Sequence, residues 1–150
     1  MAKRILVPLD QSPTAQMVVP LVADMARGGG ATVRLLHVAP VPGPRVTTDG
    51  RVLAYADQEA KRLTAEGLDY FRTVEVSLDG VPVESEVRFG DPVAEILRAA
   101  DAFGADLIAV TTTGRSGLRR MAFGSVAEQV FRKAEVAVML YHASPDDAAR

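Results

Sequence analysis

An α/β fold is what the sequence predicts: five parallel strands in the order 3-2-1-4-5, with helices on both faces. Three observations carry that prediction. Apolar runs rich in Val, Ile and Leu alternate with segments of helical period, the pattern of a covered parallel sheet. The run "VPVESEVR" alternates apolar and polar residues and carries Pro82, which suits a half-exposed edge strand. "KRILVPL" and "ADLIAV" are apolar on both faces, which suits the sheet centre.

In chain order the strands fall at Ile5–Leu9, Thr32–Val38, Val81–Val87, Leu107–Val110 and Val136–Tyr141. Ser12 before Pro13 and Asp91 before Pro92 place a capping oxygen ahead of a proline at the first helical position. The first helix shows Met17, Val18, Leu21 and Met25 at helical spacing, with Pro20 inside. An interior proline costs roughly 3 kcal/mol, so a kink or a shortened first turn is expected. Leu53, Ala56, Ala60, Leu63 and Gly67 mark the second helix, and Val93, Ile96, Leu97 and Ala100 the third. Gly28 and Gly104 sit where a left-handed C-terminal residue is common. "APVPGPRVTTDG" has no period and reads as a long surface connection, placed to act as a flap beyond the second strand.

The fifth strand, Val136–Tyr141, is apolar on both faces at a sheet edge. Such edges are paired or covered, so a loop or the C-terminal tail lies over it or a second copy pairs with it. A homodimer through this strand is the favoured expectation.

The chain has 150 residues, 48% of them hydrophobic, and a formal charge of −2. A single domain over residues 1–150 is expected, without internal repeats. The charge balance gives no reason to expect nucleic acid or an anionic membrane as partner. Cysteine is absent and the two histidines are far apart, which excludes thiolate chemistry and argues against a metal cluster. No apolar run approaches the ~20 residues of a membrane span, and "MAKRILVPLD" lacks a signal peptide's core and cleavage site. A soluble cytoplasmic protein is the expectation.

In open parallel sheets, ligands bind beyond the strands' C-terminal ends where the order reverses, here between strands one and four. "PLDQS" with Asp10 follows strand one, and "TTTGRSG" follows strand four. Asp10 reads as a turn residue or as an acceptor for a ribose hydroxyl or base amino group. Gly114 and Gly117 let backbone amides approach an anion, and Arg115, Arg119 and Arg120 add donors or stand as surface charges. Gly124 and Ser125 precede a helical pattern whose N-terminus favours phosphate. Equally, Ser125 and Glu128 form a capping box that satisfies those amides by itself. Neither G-x-x-x-x-G-K-[ST] nor G-x-G-x-x-G after strand one is present, and Asp10 lacks the neighbouring acids of a response regulator.

"ILVPLDQSPTA", "RLLHV", "GADLIAV" and above all "GRSGLRRMAFGSVAEQVFRKAEVAVML" resemble the universal stress protein family, of the UspA-like single-domain type. The resemblance implies a Rossmann-like, adenine nucleotide alpha hydrolase-like fold and a homodimer. It also implies ATP, with or without Mg, held by a regulatory non-enzyme in the stress response. Members that bind ATP share G-x-x-G, nine residues, then G-[ST]. Gly114, the nine residues Arg115 to Phe123, Gly124 and Ser125 fit the second part. The resemblance assigns Asp10 and the Val38 backbone to the adenine or ribose, and Pro8 and Leu9 to the base pocket. Gly114, Arg115, Gly124, Ser125 and Val126 go to the phosphates. The first glycine is replaced by Thr111, whose Cβ is expected to obstruct a close approach or to be strained if φ must be positive. Two alternatives follow: an interaction module of the same fold that no longer binds nucleotide, or a slow ATPase or self-phosphorylating protein using Ser125 or a nearby threonine. His37 is expected to satisfy itself locally and His142 to be solvated; no catalytic residue is assigned.

Overall fold

The computed structural model describes residues 2–112 and 123–143. In chain order the elements are β1 (Arg4–Pro8), α1 (Val19–Gly29), β2 (Thr32–Ala39), β3 (Arg45–Val46), β4 (Val52–Ala54), α2 (Ala56–Glu75), β5 (Val83–Phe89), α3 (Pro92–Phe103), β6 (Leu107–Thr112), α4 (Phe123–Lys133) and β7 (Ala137–His142). Short 3-10 turns at Ala15–Val18 and Val76–Leu78 flank α1 and α2. The five long strands form one sheet in the order β5-β2-β1-β6-β7, with every neighbouring pair parallel. That is the predicted order, with helices around the sheet.

Side chains alternate between faces along each strand, so the core divides in two. Ile5, Val7, Val33, Leu35, Leu107 and Ala109 pack with α1 and α2, while Leu6, Leu36, Ile108 and Val110 pack with α3 and α4. Each fully buried large side chain contributes about 1.5–3 kcal/mol. At the edge, β5 shows why "VESEVR" alternates. Arg34 reaches Glu84 at 2.6 Å and Glu86 at 3.2 Å across the β2–β5 register, and its guanidinium lies 4.3 Å from the Phe103 ring centroid.

The two cations of "MAKR" anchor the base of the sheet. Lys3 Nζ donates to the Gly29 carbonyl at 2.7 Å, and the Arg4 guanidinium donates to that of Phe103 at 2.8 Å. Both carbonyls lie at helix C-termini, where a positive charge is favoured. The Asp106 carboxylate accepts the Lys3 and Arg4 amides at 2.8 and 3.2 Å, fixing the start of β1 beside β6.

The first helix differs from expectation. Ser12 Oγ accepts the Ala15 amide at 3.1 Å, yet the chain makes a 3-10 turn before α1. Pro20 therefore falls in the first turn of α1, where its missing N–H has no helical partner to lose. Leu21 is exposed, and Val18, Val19, Val22 and Ala26 form the buried face. The helix ends at Gly30, with φ 68°, rather than at Gly28. Asp91 and Gly104 behave as predicted: Asp91 Oδ2 accepts the Ala94 amide at 2.9 Å, and Gly104 has φ 68°. Leu53 belongs to β4 and not to the second helix. The connection after β2 contains the hairpin β3–β4, closed by a Thr47–Arg51 turn in which Gly50 has φ 87°.

Gly67 is where α2 meets the sheet. A Cβ there would lie 2.8 Å from Val87 Cγ2 and 3.7 Å from His37 Cδ2. Gly67→Ala gains about 1 kcal/mol of helix propensity but forces the helix off the sheet, at a cost of roughly 1–3 kcal/mol. Urea unfolding is expected to show a net loss of stability; a more stable variant would contradict this packing.

Candidate functional site

Hydrogen bonds around β1 explain why a crevice opens at its C-terminal end. Thr32 donates to Lys3 O, and Leu9 donates to Leu36 O at 2.7 Å. Odd-numbered residues of β1 therefore point their polar groups at β2, and even-numbered residues point theirs at β6, as Asp106 donating to Arg4 O also requires. Pro8 falls on the β6 side, where it has no N–H to offer. Pairing of β1 with β2 runs to Pro8–Leu36, while pairing with β6 is recorded only at Ile5–Leu107 and Leu6–Ile108. The strands part where the strand order reverses.

A cavity of about 140 Å³ lies there, lined by Pro8, Leu9, Asp10, Leu36, Val38, Pro92, Ile96 and Val126. Its walls are mostly apolar, and its volume suits one planar ring system rather than a whole nucleotide. Five residues singled out in the sequence thus meet: Pro8, Leu9, Asp10, Val38 and Val126. Leu36, Pro92 and Ile96 were missed, because their apolar periodicity marks them only as core.

Two polar features face this space. By the same alternation, Val38 turns its N–H and C=O toward β1, but β1 has ended. Neither group has a backbone partner among the described residues. Asp10 follows, with Oδ1 accepting the Ser12 amide at 2.9 Å. Gln11 between them holds φ 68°, a left-handed conformation that completes the tight exit from the strand. The field of Asp10 reaches inward: burial pushes the Tyr70 phenol up, and the Asp10 charge adds to the rise.

Gly114 and Arg115 lie outside the described residues, as do Gly117, Arg119 and Arg120. α4 starts at Phe123, so Gly124 and Ser125 sit in its first turn, and Ser125 is not the expected cap. Ser125 Oγ accepts from Gln129 Nε2 at 3.3 Å, and Glu128 pairs with Arg132 at 4.0 Å. First-turn amides of a helix have no intrahelical partner.

The structure places the Thr111 side chain on the side of the sheet away from the cavity. Thr111 is an extended β6 residue paired with Tyr141, and Gln11 is the only described non-glycine residue with positive φ. Its side chain follows Leu107 and Ala109 onto the α1 face, where Oγ1 donates to Ala15 O at 3.2 Å. The cavity opens on the opposite face, among Leu36 and Ile96. His37 satisfies itself locally, its Nδ1 3.0 Å from Leu9 O, and His142 is exposed at the end of β7 rather than in a tail. Among the described residues, no cluster of His, Asp and Glu could hold a metal, and no helix is long and apolar enough to cross a membrane.

Sheet order and crevice together define an α/β protein with a crevice at its topological switch point, the place where open parallel sheets bind their ligands. The profile of the universal stress protein family matches residues 1–142, and the chain belongs to that family. A universal stress protein of Methanocaldococcus jannaschii is 30% identical over 141 residues, covering 92% of this chain and 81% of its own. The solved structure of another M. jannaschii protein, studied to assign its biochemical function, superposes with a TM-score of 0.74 at 25% identity, covering 94% of this chain and 96% of its own. The universal stress protein of Archaeoglobus fulgidus in complex with dAMP gives a TM-score of 0.58 at 26% identity, over 92% and 96% of the two chains.

Thr111→Gly is expected to leave nucleotide affinity unchanged while costing about 1–3 kcal/mol of stability, through the lost Ala15 bond and the freer backbone. Calorimetric titration with ATP beside urea unfolding checks both; a large gain in affinity would restore the obstruction by Thr111.

Proposed function

We propose that this single-domain chain binds ATP at the β1–β6 crevice as a homodimer, and acts as a regulatory protein of the stress response rather than as an enzyme. The observation that carries the reading is the unpaired Val38 edge at an apolar cavity. Its N–H and C=O form a donor–acceptor pair that matches the ring nitrogen and amino group of adenine. Guanine presents the opposite pair on the corresponding edge. The apolar walls take the faces of the base, and Asp10 Oδ2, free of the Ser12 bond, suits a ribose hydroxyl. The dAMP complex of the A. fulgidus relative supports an adenine nucleotide as the ligand class.

Phosphates would extend from this cavity toward Gly114, Arg115, Gly124, Ser125 and the backbone of Val126. The first-turn amides of α4 and the positive end of its dipole favour negative charge there. Mg²⁺ would travel with the triphosphate. No general base is assigned beside the crevice, so bound ATP is held rather than turned over. Dialysis against Mg-ATP is expected to leave near-stoichiometric nucleotide, seen by mass spectrometry. Asp10→Ala should weaken binding by about tenfold, the loss of one hydrogen bond to a charged group. A titration that gives no heat, together with no retained nucleotide, would overturn the reading.

For the dimer, support comes from β7, the sheet edge carrying half-buried Val138 and Met139 with Leu140 37% exposed. Phe131, 57% exposed on α4, adds apolar surface. Sedimentation should show a dimer that Leu140→Lys converts to monomer, since a charge on an edge strand opposes pairing. A monomeric wild-type chain would remove this part of the proposal.

A further inference from the structure

Among the described residues the Val38 N–H has no backbone partner, and for a specific reason. The β1–β2 ladder, having joined Leu9 N to Leu36 O, would next join Val38 N to Leu9 O. That rung is not made. Leu9 O instead has His37 Nδ1 at 3.0 Å. A carbonyl can only accept, so Nδ1 carries the proton and the imidazole donates.

The ring stands on the far side of the sheet from the cavity. Along β2, Val33 and Leu35 face α1 and α2, and His37 continues that alternation, while Leu36 and Val38 face the cavity. The ring is half-buried beneath α2, and its Cδ2 lies 3.7 Å from the position that a Gly67 Cβ would occupy. A carbonyl drawn to a donor on that face is turned out of the sheet plane and away from the Val38 amide.

We infer that His37 is a positioning residue. By holding the Leu9 carbonyl on the α2 side, it ends the β1–β2 ladder one rung early and keeps the Val38 N–H free to donate to the base of a bound adenine nucleotide. The function of this latch rests on the nucleotide reading above; its effect on the Val38 amide does not. Gly67 lets α2 lie close against Val87 beside the imidazole, since a Cβ there would come within 2.8 Å of Val87 Cγ2.

Amide exchange followed by NMR in the nucleotide-free protein, with calorimetric titration of ATP and GTP, tests it. In the wild-type chain the Val38 amide should exchange at least tenfold faster than the paired amides of β2. In His37→Leu, which has no donor, Val38 should become protected as it takes the Leu9 carbonyl. ATP affinity should then fall about tenfold and its margin over GTP shrink. His37→Asn, whose amide nitrogen can stand near the Nδ1 position, should restore both readings. A protected Val38 amide in the wild-type chain overturns the inference without any variant, so a His37→Leu chain that fails to fold does not shelter it. It is equally overturned if His37→Leu leaves exchange and affinity unchanged, or if His37→Asn behaves like His37→Leu. A wild-type chain that binds no ATP but shows the predicted change in exchange would refute the nucleotide reading and leave the latch standing.

Discussion

Pro8 has no N–H, and it occupies the side of β1 that faces β6. A residue with a donor there could continue the ladder and draw β1 and β6 together at their C-terminal ends. With proline the ladder loses that bond while pairing to β2 runs on, so β1 leans toward one neighbour and parts from the other. The crevice follows from this parting. It exposes the Leu36 and Ile96 side chains to a cavity, and it brings Asp10 out at the rim. Val38 is left with an N–H and a C=O that have no backbone partner among the described residues. An unpaired backbone group forgoes a hydrogen bond worth about 0.5–1.5 kcal/mol, so an edge of this kind depends on the structure around it. Here that structure includes Asp106 and the cations Lys3 and Arg4, which fix β1 at its other end.

Much of this architecture was legible in the sequence because it depends on period and punctuation. The alternation in "VPVESEVR" marked an edge strand, and the structure pairs its acidic residues with Arg34. Asp91-Pro92 and Gly104 were read correctly because capping chemistry is local. Local chemistry was also where the reading failed at α1. Three successive glycines end that helix, and composition cannot say which adopts the left-handed conformation; the C-cap falls at Gly30. The hairpin β3–β4 escaped notice because its strands are only two and three residues long, too short to show a period.

Of the cavity lining, Pro8, Leu9, Asp10, Val38 and Val126 were named in the sequence, whereas Leu36, Pro92 and Ile96 were not. Asp10 follows from where β1 stops, while Pro8, Leu9, Val38 and Val126 came from the family resemblance. Pro92 and Ile96 carry the same apolar signature as any buried helix residue, and only the tertiary gap between β1 and β6 turns them into cavity wall. His37 is a related case. Its sequence neighbours suggested a core histidine, and so it is, but the bond it makes to Leu9 depends on the register of two strands.

Thr111 shows how a motif can mislead where strand geometry does not. A glycine pattern counts positions along the chain and takes each glycine as a place where a ligand comes close. Strand period asks a different question: to which face does the side chain point? Ile108 and Val110 share the face of the cavity, so Leu107, Ala109 and Thr111 must share the other. Thr111 is buried, 1% exposed, and its hydroxyl is bonded to the Ala15 carbonyl. The bond ties β6 to the 3-10 turn that follows Asp10. The residue at the motif's first position therefore adds a brace behind the Asp10 segment, on the face away from the cavity.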